Sequence, residues 1–100
     1  MSARVVRHVI VRGRVQGVGF RMFVEDTAAM HGVEGWVRNR RDGSVESVFA
    51  GAPEAVRAVV DACRRGPRGA WVEALDEREG SPDLLAQRRP GERFSVLATG

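Results

Sequence analysis

Lysine and tyrosine are absent from this 100-residue chain, cysteine and asparagine occur once each, and no apolar run is long. Each lack excludes something. A Walker A nucleotide loop needs a lysine followed by serine or threonine, and none can be built here. Cys63 has no partner for a disulfide within the chain and cannot join a multi-cysteine metal site, so it reads as a small buried hydrophobe. His8, His31 and the carboxylates show no ligand spacing, and no metal or other cofactor is implied. No stretch approaches the roughly 20 apolar residues that cross a bilayer. MSARVVRHVIVRG has too short an apolar region, and no small-residue cleavage site, for a signal peptide. The expectation is a soluble, cytoplasmic protein with no membrane partner.

What is present is arginine. All sixteen basic residues are arginine, against thirteen acidic ones, for a net charge of +3. They are scattered from Arg4 to Arg93 and never exceed two in a row, so no dedicated nucleic-acid surface is expected. At 100 residues with 43% hydrophobic content the chain suits one core, and a single domain over 1–100 is expected, as a monomer.

Val5 to Val11, rich in β-branched residues, predicts a first strand that stops at Arg12-Gly13. Phe20, Phe23, Val24, Ala28 and His31 fall at helical spacing before Gly32, a residue suited to the left-handed helix end. GVEGWVRN and SVESVFA flank RRDG, whose Asp42-Gly43 pair suits a tight turn, so strands two and three form a hairpin. Pro53 fits the first turn of a second helix with an apolar stripe of Val56, Val59, Val60 and Cys63. AWVEALDE and RFSVLA read as strands four and five, joined by a loop in which Leu84 and Leu85 offer an anchor. The core order is βαββαβ. With right-handed crossovers this gives an α+β, ferredoxin-like split β-α-β sandwich: an antiparallel sheet with two helices on one face. The crossover through helix one suggests strand two beside strand one, without topology alone bringing its C-terminal half near the loop. That fold serves many functions and decides none.

RGRVQGVGFR, residues 12–21, joins strand one to helix one with three glycines, three arginines and a glutamine. Gly13, Gly17 and Gly19 let successive N–H groups turn inward as a nest for an anion, at the positive end of the following helix. Arg21, in the first helical turn, adds a planar fork of donors matched to two phosphate oxygens. Alone, such a turn is more often structural than a ligand site. Asn39, the single asparagine, sits just before the hairpin, where an amide commonly serves the turn itself. His8, His31, Asp42, Gly43 and Trp36 are read as structural.

GRVQGVGFR followed by GVEGWVRNRRDGSVE resembles the signature stretches of the acylphosphatases, small enzymes that hydrolyse carboxylic–phosphoric anhydrides. The likeness extends over nearly the whole chain, including the FSV of the last strand. It implies an acyl phosphate substrate, with inorganic phosphate as product and competitive inhibitor. It also implies a phosphate-binding segment of Gly13, Arg14, Val15, Gln16, Gly17, Val18, Gly19 and Phe20. Arg21 then becomes the phosphate-binding catalytic arginine, and Asn39 the residue that orients the attacking water. The chain departs from the family in FSVLATG, where a basic or aromatic residue often follows the matching strand. It departs again at Gly19, where a cysteine in some members would offer a thiol. RNA-recognition modules share the architecture but stack bases on aromatics of the central strands, for which only Phe49 is available.

Overall fold

The computed structural model describes residues 3–100. Five strands and two α-helices follow one another as β1 (Val5–Arg14), α1 (Phe20–His31), β2 (Glu34–Asn39), β3 (Val45–Gly51), α2 (Pro53–Arg65), β4 (Trp71–Glu79) and β5 (Phe94–Val96), with a 3₁₀ helix, Pro82–Gln87, before β5. The sheet order is β4-β1-β3-β2-β5. The pairs β4·β1, β1·β3 and β3·β2 are antiparallel, giving the expected four-stranded sheet. β5 then adds parallel to β2, pairing Gly35 with Phe94 and Val37 with Val96, so the whole sheet is mixed.

Strand alternation sorts the side chains onto two faces. Val9 and Val11 of β1, Val37 of β2, and Val45 and Phe49 of β3 pack in one core with Phe20, Val24 and Ala28 of α1 and Val56, Val59, Val60 and Cys63 of α2. Both helices therefore cover the same face. Each fully buried side chain of this size contributes about 1.5–3 kcal/mol, and together they hold the helices on the sheet. His31 stays exposed in the last turn of α1, and Gly32 ends that helix at φ 67°.

Three features differ from the expectation. β2 does not lie beside β1. β3 lies between them, because it is the strand buried along all seven residues and the middle of the sheet is where such a strand is covered on every side. β1 runs on to Arg14, through a register shift at Arg12/Gly13. A Cβ on Gly13, at φ 129°, would collide with the Trp71 carbonyl oxygen, so this glycine permits a bulge against β4 and is not part of the loop. The connection before β5 is not all loop: Ser81 Oγ accepts the Asp83 N–H at 3.2 Å and starts the 3₁₀ helix. Its Leu84 carbonyl accepts the Trp36 Nε1–H at 2.8 Å, so Trp36, 1% exposed, is covered on the face away from the helices.

Gly35 is the tightest point of the sheet, since a Cβ there would meet the Val48 carbonyl oxygen at φ 144°. Gly35→Ala is expected to cost about 2–3 kcal/mol of stability. Gly69→Ala, also at positive φ but with no atom within 4 Å, should cost only about 1 kcal/mol. Urea denaturation midpoints of the two variants check this ranking.

Candidate active site

The site begins with one row of the sheet. Val45 of β3 pairs with Val11 of β1 on one side and with Asn39 of β2 on the other. Since β1 and β2 both run antiparallel to β3, they run parallel to each other and end at the same edge of the sheet. At about 4.8 Å per strand spacing, Asn39 stands roughly 10 Å from Val11, three residues before β1 ends at Arg14.

Residues 15–19 make that exit. Val15 is buried, Val18 packs against the core and Phe20 is buried, so alternate apolar side chains pin the segment from below. Gly17 and Gly19 take φ 74° and 78°, a left-handed conformation that only glycine adopts without strain, and the space where a Cβ would stand is open. Gly19 is the N-cap of α1. No side chain caps the helix and no acidic residue stands in its first turn, so its leading N–H groups lack partners from side chains. Arg21 sits in that same turn. By the helix dipole a cation is misplaced there for stability, although it is well placed for an anion.

Val15, Gly17, Gly19, Phe20, Arg21 and Asn39 line one cleft of about 410 Å³. It is completed by Met22 and Glu25 of α1 and by Arg89, Glu92 and Val96 from the far end of the chain. Neither Arg21 nor Asn39 uses its side chain in a hydrogen bond or ion pair among the described residues. The remaining members of the segment stand elsewhere. Gly13 and Arg14 lie within β1, and Val18 turns to the core. Gln16 donates from Nε2 to the carbonyls of Arg40 at 2.8 Å and Ser44 at 2.9 Å, tying the segment to the β2–β3 turn. Five cleft residues were not anticipated. Glu25, four positions after Arg21, shares its helix face and was legible by spacing. Arg89, Glu92 and Val96 carry no local signal, because the parallel pairing of β5 brings them in.

The model of the acylphosphatase family matches residues 7–89. A protein named acylphosphatase from Rhodopseudomonas palustris (strain BisB18) is 62% identical over 95 residues, which is 95% of this chain and 96% of that one. The chain belongs to the acylphosphatase family. Another acylphosphatase, from Bradyrhizobium diazoefficiens, is 53% identical over 97 residues, covering 97% of this chain and 98% of that one. Among solved structures, the crystal structure of acylphosphatase from Bacillus subtilis superposes with a TM-score of 0.80 at 36% identity, over 93% of this chain and 98% of that chain. The chain is thus an enzyme of the acylphosphatase type, and the cleft is its candidate active site.

In this family member the turn beside Asn39 is held by polar contacts. Asp42 Oδ1 accepts from the Ser44 hydroxyl at 2.5 Å and the Ser44 N–H at 2.9 Å. The hydroxyl, then the N–H, lower the Asp42 carboxyl from 3.8 to about 2. On the sheet face away from the helices, Glu46 accepts from Arg38 Nε at 2.7 Å, and its other oxygen lies 2.7 Å from His8 Nε2. Burial pushes the Glu46 carboxyl up, but the bonds from Arg38 and His8 outweigh it and the net direction is down from 4.5. The buried Cys63 thiol is pushed up to about 12, so it stays neutral and is no nucleophile. The backbone of Asn39 is fastened too, its carbonyl accepting the Gly100 N–H at 3.0 Å.

Both carboxyls are lowered in the folded state, so each stabilises the fold above its unfolded pKa and loses that contribution as pH falls through its folded value. Glu46→Gln is therefore expected to melt below the parent at pH 7. The gap should narrow as pH drops below 4.5. Melting curves of the two proteins from pH 7 to pH 3 check the sign.

Proposed function

We propose that the chain hydrolyses the carboxyl–phosphate anhydride bond of acyl phosphates by in-line attack of water. The phosphoryl group sits in the nest of residues 15–19 against Arg21, and the Asn39 amide holds the water. One observation carries this reading: an uncapped helix N-terminus, an uncommitted guanidinium and an uncommitted amide share one cleft. Phe49, the aromatic that a base-stacking module would need on its surface, is buried against Phe94.

The chemistry needs little beyond position and charge. A carboxylate is a stabilised leaving group and departs without a strong acid. In a loose transition state negative charge spreads over the equatorial phosphate oxygens, and loop N–H groups with the Arg21 fork are suited to meet it. Asn39 orients the water by hydrogen bonds but cannot take its proton, since an amide is not a base. The proton passes to an oxygen of the substrate's own phosphate. The water oxygen bonds to phosphorus as the anhydride P–O bond breaks, giving carboxylate and inorganic phosphate.

Purified protein should release carboxylate from acetyl or benzoyl phosphate without added metal, at a rate a chelator leaves unchanged. Release no faster than in buffer would sink the proposal. Inorganic phosphate should compete with substrate and raise the melting temperature, because it binds the folded state alone.

Two variants separate the roles. Arg21→Gln should abolish the phosphate-induced rise in melting temperature and lower kcat by about 10³-fold. Asn39→Ala should keep that rise while kcat falls about 10²-fold, because the nest and Arg21 remain. Equal loss of phosphate binding in both would make Asn39 a phosphate ligand instead.

A further inference from the structure

The cleft is larger than its phosphate end. At about 410 Å³ it falls within the ~300–1,000 Å³ usual for whole small-molecule ligands. The space left beyond the nest is bounded by Met22 and Glu25 of α1, by Arg89 and Glu92, and by Val96. Glu25 also borders a neighbouring depression with Ala29, Val33, Phe94 and Arg93, whose guanidinium is turned to the Gly32 carbonyl at 3.3 Å and to Glu34 at 3.9 Å, so the groove between α1 and β5 continues past it.

Of the three charged side chains in that outer wall, two are committed to each other and to the chain. Arg89 Nη1 donates to the Val96 carbonyl at 2.8 Å and lies 3.9 Å from Glu92 Oε1. Glu92 accepts the Ser95 hydroxyl at 2.6 Å. Glu25 is different: half-buried, it has no hydrogen bond or ion pair among the described residues. Arg21, one turn earlier on the same helix face, does not come within ion-pair distance of it. An uncompensated carboxylate beside a site for a phosphate dianion weakens binding of every acyl phosphate, unless the rest of the substrate offsets its charge.

Resting on the acyl phosphate reading above, we propose that Glu25 sets the charge preference of the acyl subsite. Acyl groups ending in an ammonium are favoured, and acyl groups ending in a carboxylate are rejected. Glu25 stands about 6 Å further along the helix axis than Arg21, the reach of a three- or four-atom acyl chain. Met22 and Val96 flank that path and give its carbons apolar contact.

Three acyl phosphates of matched shape test this: butanoyl phosphate, β-alanyl phosphate with an ammonium in place of the terminal methyl, and succinyl phosphate with a carboxylate there. For the parent protein kcat/KM should fall in the order β-alanyl, butanoyl, succinyl, by about fivefold per step, mostly through KM. Glu25→Gln should flatten the series and Glu25→Lys should reverse it. A flat series in the parent, or the same order in Glu25→Gln, overturns the inference while the hydrolase reading stands. A uniform loss with all three substrates in Glu25→Gln also overturns it, by making Glu25 a positioning residue for Arg21. No turnover of any of the three by the parent would overturn both.

Discussion

Everything at the site depends on β3 pairing with two strands at once. Val45 joins Val11 on one side and Asn39 on the other. That single row places the loop into α1 and the end of β2 at the same sheet edge, although the residues concerned lie more than twenty positions apart. The pairing is strong because β3 is buried throughout and both its neighbours are hydrogen-bonded to it. Gln16 adds a local tie from the loop to the β2–β3 turn, so the loop and Asn39 are braced against each other as well as against the sheet.

The start of α1 forgoes stabilising contacts that a helix N-terminus ordinarily takes. A carboxylate in the first turn and a hydroxyl cap would each favour this helix, yet the chain has a glycine at the cap, no acid and an arginine. The missing acid and the arginine are unfavourable for the helix alone, and the glycine cap offers no side-chain acceptor, so donors and positive charge stay open at one point. Buried Phe20, Val24 and Ala28 hold the helix regardless, because burial of its apolar face far outweighs the few tenths of a kcal/mol that a glycine cap loses against a side-chain cap. The opposite sheet face follows the reverse policy. There Glu46, Arg38, His8 and Trp36 spend their polar atoms on one another or on the 3₁₀ helix.

Much of this was legible beforehand, and the errors have a common source. The helix over residues 20–31, its glycine end, the hairpin and the proline start of α2 follow from local periodicity and turn chemistry, which operate over a few residues. That Gly13 lies within β1 was not legible, because a glycine signals freedom of the backbone without saying what needs it. In the structure the need comes from the Trp71 carbonyl of β4, nearly sixty residues away. The position of β2 was misread for a similar reason, since a hairpin can fold to either side and only the burial of β3 selects one.

By itself the sequence determined the element order, the two long blocks that mark the acylphosphatase family, and the residue types of the loop into α1, because these are written in contiguous stretches. The tertiary structure alone decided that Asn39 reaches the cleft, that Gly13 and Arg14 belong to a strand, and that Arg89, Glu92 and Val96 join Glu25 in the outer wall. The physical reason is pairing between strands distant in sequence: β3 sets Asn39 in one row with Val11 through Val45, β4 holds Gly13 at its register shift, and the last such contact is the parallel pairing of β5 with β2. It brings a segment from the far end of the chain against α1 by backbone hydrogen bonds, which leave little trace in the identities of the side chains they position.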